Sequence, residues 1–356
     1  MKYDYWLDNT GLSNAKKRAL IKEFGTAENV YCQKTEEYRK IAGWKDTDTK
    51  KIKEAKESKR IERMWENMEQ AGIQFLSQCE KNYPEKLKKI RQPPFGLYYI
   101  GGLPKEEKVA AIIGARRCSE YGYYMAKKLG EALAGNGISV ISGMAEGIDA
   151  AGHKGALQGE GKTYGVLGCG VDICYPAQNR ELYETLQKAG GVLSELPPGT
   201  PPKPYFFPMR NRMISGLADI VIVVEAKRKS GSLITVDYAL EQGKEIYAVP
   251  GRATDALSYG CNNLIHQGAG IVLSVEEFLE ELEIVKIVRQ KKHKNRELCL
   301  AKEESLVYSC LSVEPKEVEQ ILRETSLDLS SVAGILFRLQ TMGVVKESFR
   351  RYYIEE

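Results

Sequence analysis

The sequence predicts an α/β protein built on a doubly wound, mostly parallel sheet, with a helical domain before it and a small second domain after it. Three observations carry this. The run ADIVIVVEA (218–226) is apolar and β-branched with charge only near its ends, the pattern of a strand buried on both faces of a parallel sheet. Flanking it are VAAIIGA (109–115), GISVISGM (137–144), KTYGVLGCG (162–170) and KEIYAVPG (244–251), which read the same way. Between these runs lie helical patterns, YYMAKKLGEALAGNG, EGIDAAGHKGALQGEG, QNRELYETLQKAG and LITVDYALEQG, each stopped by a glycine suited to a helix C-terminus. Alternation of strand and helix from 109 to 275 implies a sheet of the Rossmann type.

At 356 residues the chain exceeds one small core, and 43% hydrophobic residues support folding throughout. The net charge of +4 is small, and acidic and basic residues nearly balance within the sheet region, so affinity for a polyanion must come from clustering. The eight cysteines form no CxxC pair and only three histidines accompany them, which predicts reduced thiols in a cytoplasm and no metal site. Cys169 and Cys174 read as small buried hydrophobes in preference to redox switches. The N-terminus, MKYDYWLDNTG, lacks the apolar region of a secretion signal, and no run reaches the ~18 apolar residues of a membrane span. A soluble, cytoplasmic protein with no membrane contact is expected.

Taken in order, residues 1–70 read as a helical domain. Leu12, Ala15, Ala19, Leu20 and Phe24 share one helix face, with Ser13 as N-cap and Gly25 as stop. The stretch TGLSNAKKRALIKEFGTAENVY is similar to a helix-hairpin-helix unit, and IAGWKDTDTKKIKEA (41–55) offers a second; gripping a nucleic-acid backbone and simple docking both remain open. Residues 71–285 form the Rossmann-like core. A connector from 56 to 108 leads into it, with a short strand in GIQFLSQCE, a Pro-Pro turn, and an aromatic strand in which Tyr98 and Tyr99 serve packing.

The strands end in glycine turns, GARRCSEYG (114–122), SGMAEGID (142–149), GCGVD (168–172) and KSGS (229–232). In such a sheet ligands sit beyond the carboxyl ends of the strands, where bare N–H groups favour anions. None of the turns is GxGxxG, and no Walker GxxxxGK[ST] occurs, so dinucleotide and NTP readings lose their main support. Arg116, Arg117, Arg210 and Arg212 stand there instead, with Asn211 between the last two, and guanidinium groups beside backbone N–H groups make a phosphate site that needs no particular nucleotide. For Arg210 and Arg212 a structural ion pair with Glu195, Asp219 or Glu225 is the competing reading. Tyr183, Tyr205, Phe206 and Phe207 supply base-stacking aromatics or core packing. Asp149 and Asp172 read as caps that tie the turns, and His153 as a loop brace.

The motif series GARRCSEYG, SGMAEGIDAAGHKGAL, VLGCGVDICYPAQNREL, LSELPPGTPPKPYFFPMRNRMISGLADIVIVVEA, SGSLITVDYALEQGKEIYAVPG and GCNNLIHQGAGIV resembles, in order and spacing, the DNA-processing protein A family (DprA, also called Smf). The resemblance implies a non-enzymatic recombination mediator that binds single-stranded DNA during natural transformation and hands it to the recombinase RecA, with no cofactor and no catalytic residue. It implies single-strand contacts at Gly114, Arg116, Arg117, Ser142, Gly143, Gly168, Gly170, Arg180, Lys203, Arg210, Asn211 and Arg212. Two departures stand out: Ala115 replaces a hydroxyl residue that is more frequent in the family, and Ala177 replaces a basic one, which either removes a phosphate contact or shifts it to Arg180. A homodimer is also implied, through the last strand and helix of the core, where GCNNLIHQGAGIVLSV would present Leu264 and Ile265; the same two residues equally suit an internal core. The rival function is a nucleotide-processing enzyme, because the sheet and turns also resemble the cytokinin-activating phosphoribohydrolases; their PGGxGTxxE signature is absent, SGSLITVDYAL standing in its place.

After a helix in VEEFLEELEIV, the basic run KIVRQKKHKNRE (286–297) reads as a solvated linker. Residues 298–356 follow a winged-helix pattern. Its third helix offers Ser330, Ser331, Arg338 and Gln340 but no basic first turn, which points to protein contact more than to duplex reading, while Lys346, Arg350 and Arg351 in the wing keep DNA contact open.

Overall fold

The apolar run at 218–226 becomes a central strand with neighbours on both sides, as its lack of polar alternation requires. In the computed structural model, residues 1–57, 59–105, 108–282, 301–312, 316–342, 344–348 and 351–354 are described, and the chain divides into two units, 1–286 and 287–356. The linker at 286–297, residues 298–300 and Arg350 lie outside the described residues.

In the first unit the strands are β1 (Gln74–Ser77), β2 (Gly96–Gly101), β3 (Val109–Ile113), β4 (Ser139–Ser142), β5 (Thr163–Val166), β6 (Gly191–Ser194), β7 (Ile220–Val223), β8 (Glu245–Ala248) and β9 (Gly270–Ile271). They pair in the order β1-β2-β6-β5-β4-β3-β7-β8-β9. From β6 to β9 every pairing is parallel, while β2 joins β6, and β1 joins β2, antiparallel. Every residue of β3 and β7 is buried. Two apolar layers account for this. On one face Ala111, Ile113 and Val221 meet Met213, Leu217 and Val236; on the other Ala110, Ile112 and Ile222 meet Leu129, Leu133 and Ile148.

Chain order reverses between β3 and β7, since β4, β5 and β6 lie to one side of β3 and β7, β8 and β9 to the other. That is the switch point at which crossover connections leave opposite faces and open a crevice at the carboxyl ends. The turns after β3, β4, β5 and β7 therefore surround it.

Two parts differ from the sequence reading. The connector at 56–108 contributes β1 and β2 to the main sheet. GVLS (191–194) is a further parallel strand that the sequence does not announce, because it is four residues long and framed by glycine and proline. The N-terminal helices dock against this side of the sheet: Tyr5, Trp6, Leu20, Ile52 and Trp65 share a core with Phe75, Phe95 and Tyr98. Within it the Lys17 ammonium lies 2.6 Å from the Asp8 carboxylate, which also accepts from the Tyr98 hydroxyl at 2.8 Å. As expected, Ser13 accepts from the Lys16 amide and Gly25, at φ +85, ends the helix Asn14–Phe24.

The second unit contains helices Lys302–Cys310, Val318–Thr325 and Leu329–Thr341 and a small sheet in the order β10 (Lys316–Glu317), β12 (Arg351–Tyr353), β11 (Lys346–Ser348). Val307, Ile321, Val332, Leu336 and Val345 form its core. Asp328 caps the third helix through the Ser331 amide at 3.1 Å. No helix is long and apolar enough to cross a membrane among the described residues.

Candidate nucleic-acid interface

The first glycine turn follows β3, and a buried carboxylate sets its shape. Glu225, at the end of β7 and 3% exposed, accepts from the Ser119 amide at 2.9 Å and from the Ser119 hydroxyl. Ser119 in turn caps the helix Glu120–Gly135 through the Gly122 amide at 3.0 Å. The turn between, Gly114 to Cys118, is thereby held against β7 with Arg116 and Arg117 exposed. Gly147, at φ +75, lies so close to the carbonyls of Ala115 and Arg116 that a Cβ would sit 2.4 Å and 2.5 Å from them, so the second turn locks onto the first.

The Arg116 guanidinium lies 5.5 Å from the Phe207 ring centroid, and the other neighbour of that ring is Tyr175, 5.4 Å away and stacked at 25°. Phe207 itself packs onto Gly168. Tyr175 is 41% exposed, so a cation and two aromatic rings form one ladder open to solvent at the crevice. Tyr205, 56% exposed, tilts against Phe206, and Lys203 is exposed in the same loop. Sequence reasoning missed Tyr175; its only signal was the aromatic in ICYP beside a glycine turn.

Arg210 and Arg212 behave differently, and the expectation that they reach phosphate directly is corrected. Both lie on the helix Phe206–Leu217 and both are buried, at 6% and 7% exposure. The Arg210 guanidinium donates to the carbonyls of Gly143, at 2.8 Å, and Val166, joining the ends of β4 and β5. A Cβ on Gly143 would stand 2.6 Å from this group. Burial lowers the Arg210 pKa to about 10, with Asp149 opposing the shift; burial raises the Asp149 pKa, opposed first by Arg210. Arg212 makes a two-pronged pair with Glu195, both contacts 2.7 Å, and donates also to the Gln92 and Met209 carbonyls at 3.0 and 2.8 Å. Of the three candidate carboxylates, Glu195 is the partner. Asn211 accepts from Arg210 at 3.2 Å and donates to the Gly231 carbonyl at 3.4 Å, linking this brace to the turn after β7.

Several other expected contacts also turn inward. Ser142 is fully buried and donates to the Ile112 carbonyl at 2.6 Å. The Gly143 amide donates to Asp149 at 3.1 Å, and the Gly170 amide donates to the Thr200 carbonyl at 2.9 Å. Gly168 and Gly170 are both buried. The Ser142 hydroxyl and the Gly143 and Gly170 amides are thus engaged within the turns, and Gly168 packs beneath Phe207. Asp149 also accepts from the Ala145 amide, and Asp172 accepts from the Gly199 amide at 2.9 Å, so both tie the turns as expected, while neither caps a helix: the helix Ile148–Gln158 starts at Gly147 with no side-chain cap. Tyr183 is core, its hydroxyl donating to the Val171 carbonyl. Arg180 is exposed on its helix, 3.9 Å from Glu184.

His153 is fully buried. Thr163 donates its hydroxyl proton to the Val140 carbonyl, so it accepts from His153, which places the imidazole proton on Nδ1. Burial first, then the nearby Arg210, lowers its pKa to about 3. Burial pushes the Cys169 thiol up to about 11. Neither group is poised for catalysis near neutral pH. Among the described residues no group of three or more His, Cys, Asp or Glu could hold a metal ion.

The two residues expected at a homodimer interface divide. Leu264, 8% exposed, belongs to the core with Val223, Ala248 and Cys261, which corrects its placement at a surface; Ile265 is half-buried against the same core.

Residues 74–283 match the family described as DNA recombination-mediator protein A. A relative named Protein Smf from Synechocystis sp. is 29% identical over 378 aligned positions, covering 96% of this chain and 95% of the relative. The crystal structure of DNA processing protein A from Streptococcus pneumoniae is 35% identical, with a TM-score of 0.69, over 79% of this chain and 98% of that one. DNA processing protein A from Helicobacter pylori, whose structure is described in terms of a single-stranded DNA binding mode, is 29% identical with a TM-score of 0.54, over 59% of this chain and 95% of that one.

Proposed function

The chain belongs to the DNA recombination-mediator protein A family (DprA/Smf), and on that basis we propose that it binds single-stranded DNA at the carboxyl ends of β5, β4, β3 and β7 and serves as a mediator of recombination. The observation that carries this reading is the exposed ladder of Arg116, Phe207 and Tyr175. A single strand offers a charged backbone and unpaired π faces, and this ladder meets both without reading sequence. In a duplex the bases stack on each other and their faces are closed to Tyr175.

In this reading Arg116, Arg117, Arg180 and Lys203 meet phosphates, while Gly114, where a Cβ would stand 2.7 Å from Ile148 and 2.9 Å from the Glu225 carbonyl, lets the first turn pack against its neighbours. Gly143, Gly168, Gly170, Arg210, Asn211 and Arg212 hold the turns in the shape that presents them. The core is Rossmann-like, and the C-terminal unit is a winged helix used for protein contact, since its third helix exposes Leu329 and Phe337 at 60% and 72% in place of a basic face. Delivery to RecA in the cytoplasm, as in natural transformation, is the process this binding serves. A homodimer would form along the edge strand β9, where Ile271 and Leu273 are exposed beside Ile265; an unpaired edge invites a second copy.

The test is a mobility shift with oligo-dT and a duplex of equal length. The expected result is clear preference for the single strand that weakens with salt; equal affinity for both would remove the proposal.

A further inference from the structure

The ladder at Arg116 occupies only one side of the crevice. Across the switch point from it, the turn after β7 carries Lys227, Arg228 and Lys229, all exposed, and none of them sits in an ion pair among the described residues. The turn after β8 lies beside it: the Ala226 amide donates to the Leu257 carbonyl at 2.8 Å, and the Gly260 amide to the Ala226 carbonyl at 2.7 Å. The two turns are thus one built surface. On it the Arg228 guanidinium stacks 5.4 Å from the Tyr259 ring, which is 45% exposed. Tyr121, 51% exposed, comes from the first turn of the helix that follows Arg116, and burial first, then Glu225 and Cys261, raises its pKa. The facing carboxylates are few. Glu225 is buried on Ser119, and the half-buried Asp255 accepts from the Leu257 amide at 2.9 Å.

Three cations in sequence with few acids to neutralise them cost stability by self-repulsion unless a polyanion covers them. Exposed tyrosines beside the cations add what a mere phosphate site would not need, faces on which bases stack. Adjacent strands lie about 4.8 Å apart, so the ends of β3, β7 and β8 extend the surface by roughly 10 Å past the Arg116 ladder.

We propose that a bound single strand continues from the Arg116 turn across the turns after β7 and β8, with Lys227, Arg228 and Lys229 on its phosphates and the Arg228–Tyr259 pair stacking a base. This rests on the strand-binding reading above and extends it. It makes strand length a determinant of affinity: a short oligomer fills the Arg116 side alone, and a longer one engages both.

The experiment titrates oligo-dT of about 5 and about 15 nucleotides, near the two ends of the range a single-strand groove spans, against the full chain, the triple variant Lys227→Ala/Arg228→Ala/Lys229→Ala, and Arg116→Ala. The triple variant is expected to bind the longer oligomer at least about tenfold more weakly, with a salt slope shallower by up to about 2, or ~0.7 for each phosphate no longer neutralised. Its affinity for the short oligomer should stay unchanged, and its melting temperature should not fall, since removing mutually repelling charges costs the free protein nothing. Equal fractional losses for both lengths would reduce the patch to a diffuse field, and no loss for either would remove it; both results overturn the proposal. If Arg116→Ala leaves the short oligomer unaffected, the parent reading fails instead, and that outcome is separate from the length dependence of the triple variant.

Discussion

Arg116 and Arg212 sit at one crevice of one sheet, yet they answer to opposite demands. Arg116 is exposed, its guanidinium lies over the Phe207 ring, and it sits in no ion pair among the described residues, so its charge is available to a ligand. Arg212 is buried, with its guanidinium divided among Glu195 and two carbonyls. Arg210 is committed in the same way to Gly143 and Val166. A cluster of arginines in sequence is therefore two structural classes: one stands exposed at the crevice, the other is buried and braces the turns.

The largest effect that sharpens this contrast is on folding. Arg212→Ala leaves the Glu195 carboxylate buried without its partner and should cost about 3–5 kcal/mol of stability, seen as a lower urea midpoint. Adding Glu195→Ala should return part of it; an unchanged midpoint in the single variant would place Arg212 outside the brace.

Next is an acid limb. His153 has a folded-state pKa near 3 against the ordinary 6.5, so below pH 6.5 the unfolded chain binds a proton that the folded one refuses. Stability from this residue is complete above pH 6.5 and falls by about 1.4 kcal/mol per pH unit as pH drops toward 3. Asp149, its pKa raised by burial, works with the opposite sign: above the ordinary carboxylate value of 3.8 its proton favours the folded state. His153→Asn should flatten the slope between pH 6 and 5 in thermal melts, and an unchanged slope would assign the acid limb to other groups.

Smaller again is Tyr175→Ala, which removes the exposed rung of the ladder. It should weaken single-strand binding by ~1–3 kcal/mol while leaving the salt slope unaltered, because stacking releases no counterions. A change in slope with no change in affinity at low salt would contradict the stacking role. Smallest is Arg117→Ala, whose side chain has no ring beneath it; one phosphate contact corresponds to a slope change of about 0.7 in a salt titration.

Much of the architecture was legible because burial on two faces writes itself directly into composition. ADIVIVVEA and VAAIIGA have no polar alternation, and both became fully buried central strands. GVLS escaped notice since four residues cannot show a period. The site was legible only in part. GARRCSEYG announced an exposed pair of arginines, but in PMRNRMISG the phase of the helix Phe206–Leu217 decides which side chains face the core, and it turns both Arg210 and Arg212 inward. Glu195 lies 17 residues from Arg212 across a proline-rich loop, and Glu225 reaches Ser119 over 106 residues. Such partners depend on strand order, which one sequence does not state. Tyr175 became visible only once Phe207 lay beside it.

Whether the exposed arginine binds while the buried ones build is decided most plainly by a salt titration of oligo-dT binding to Arg116→Ala, paired with the variant's melting temperature. The expected outcome is affinity lower by about 1–3 kcal/mol, a slope shallower by ~0.7, and an unchanged melting temperature. Unaltered affinity and slope together with a lower melting temperature would show Arg116 to be another brace, and would contradict this division of the arginines.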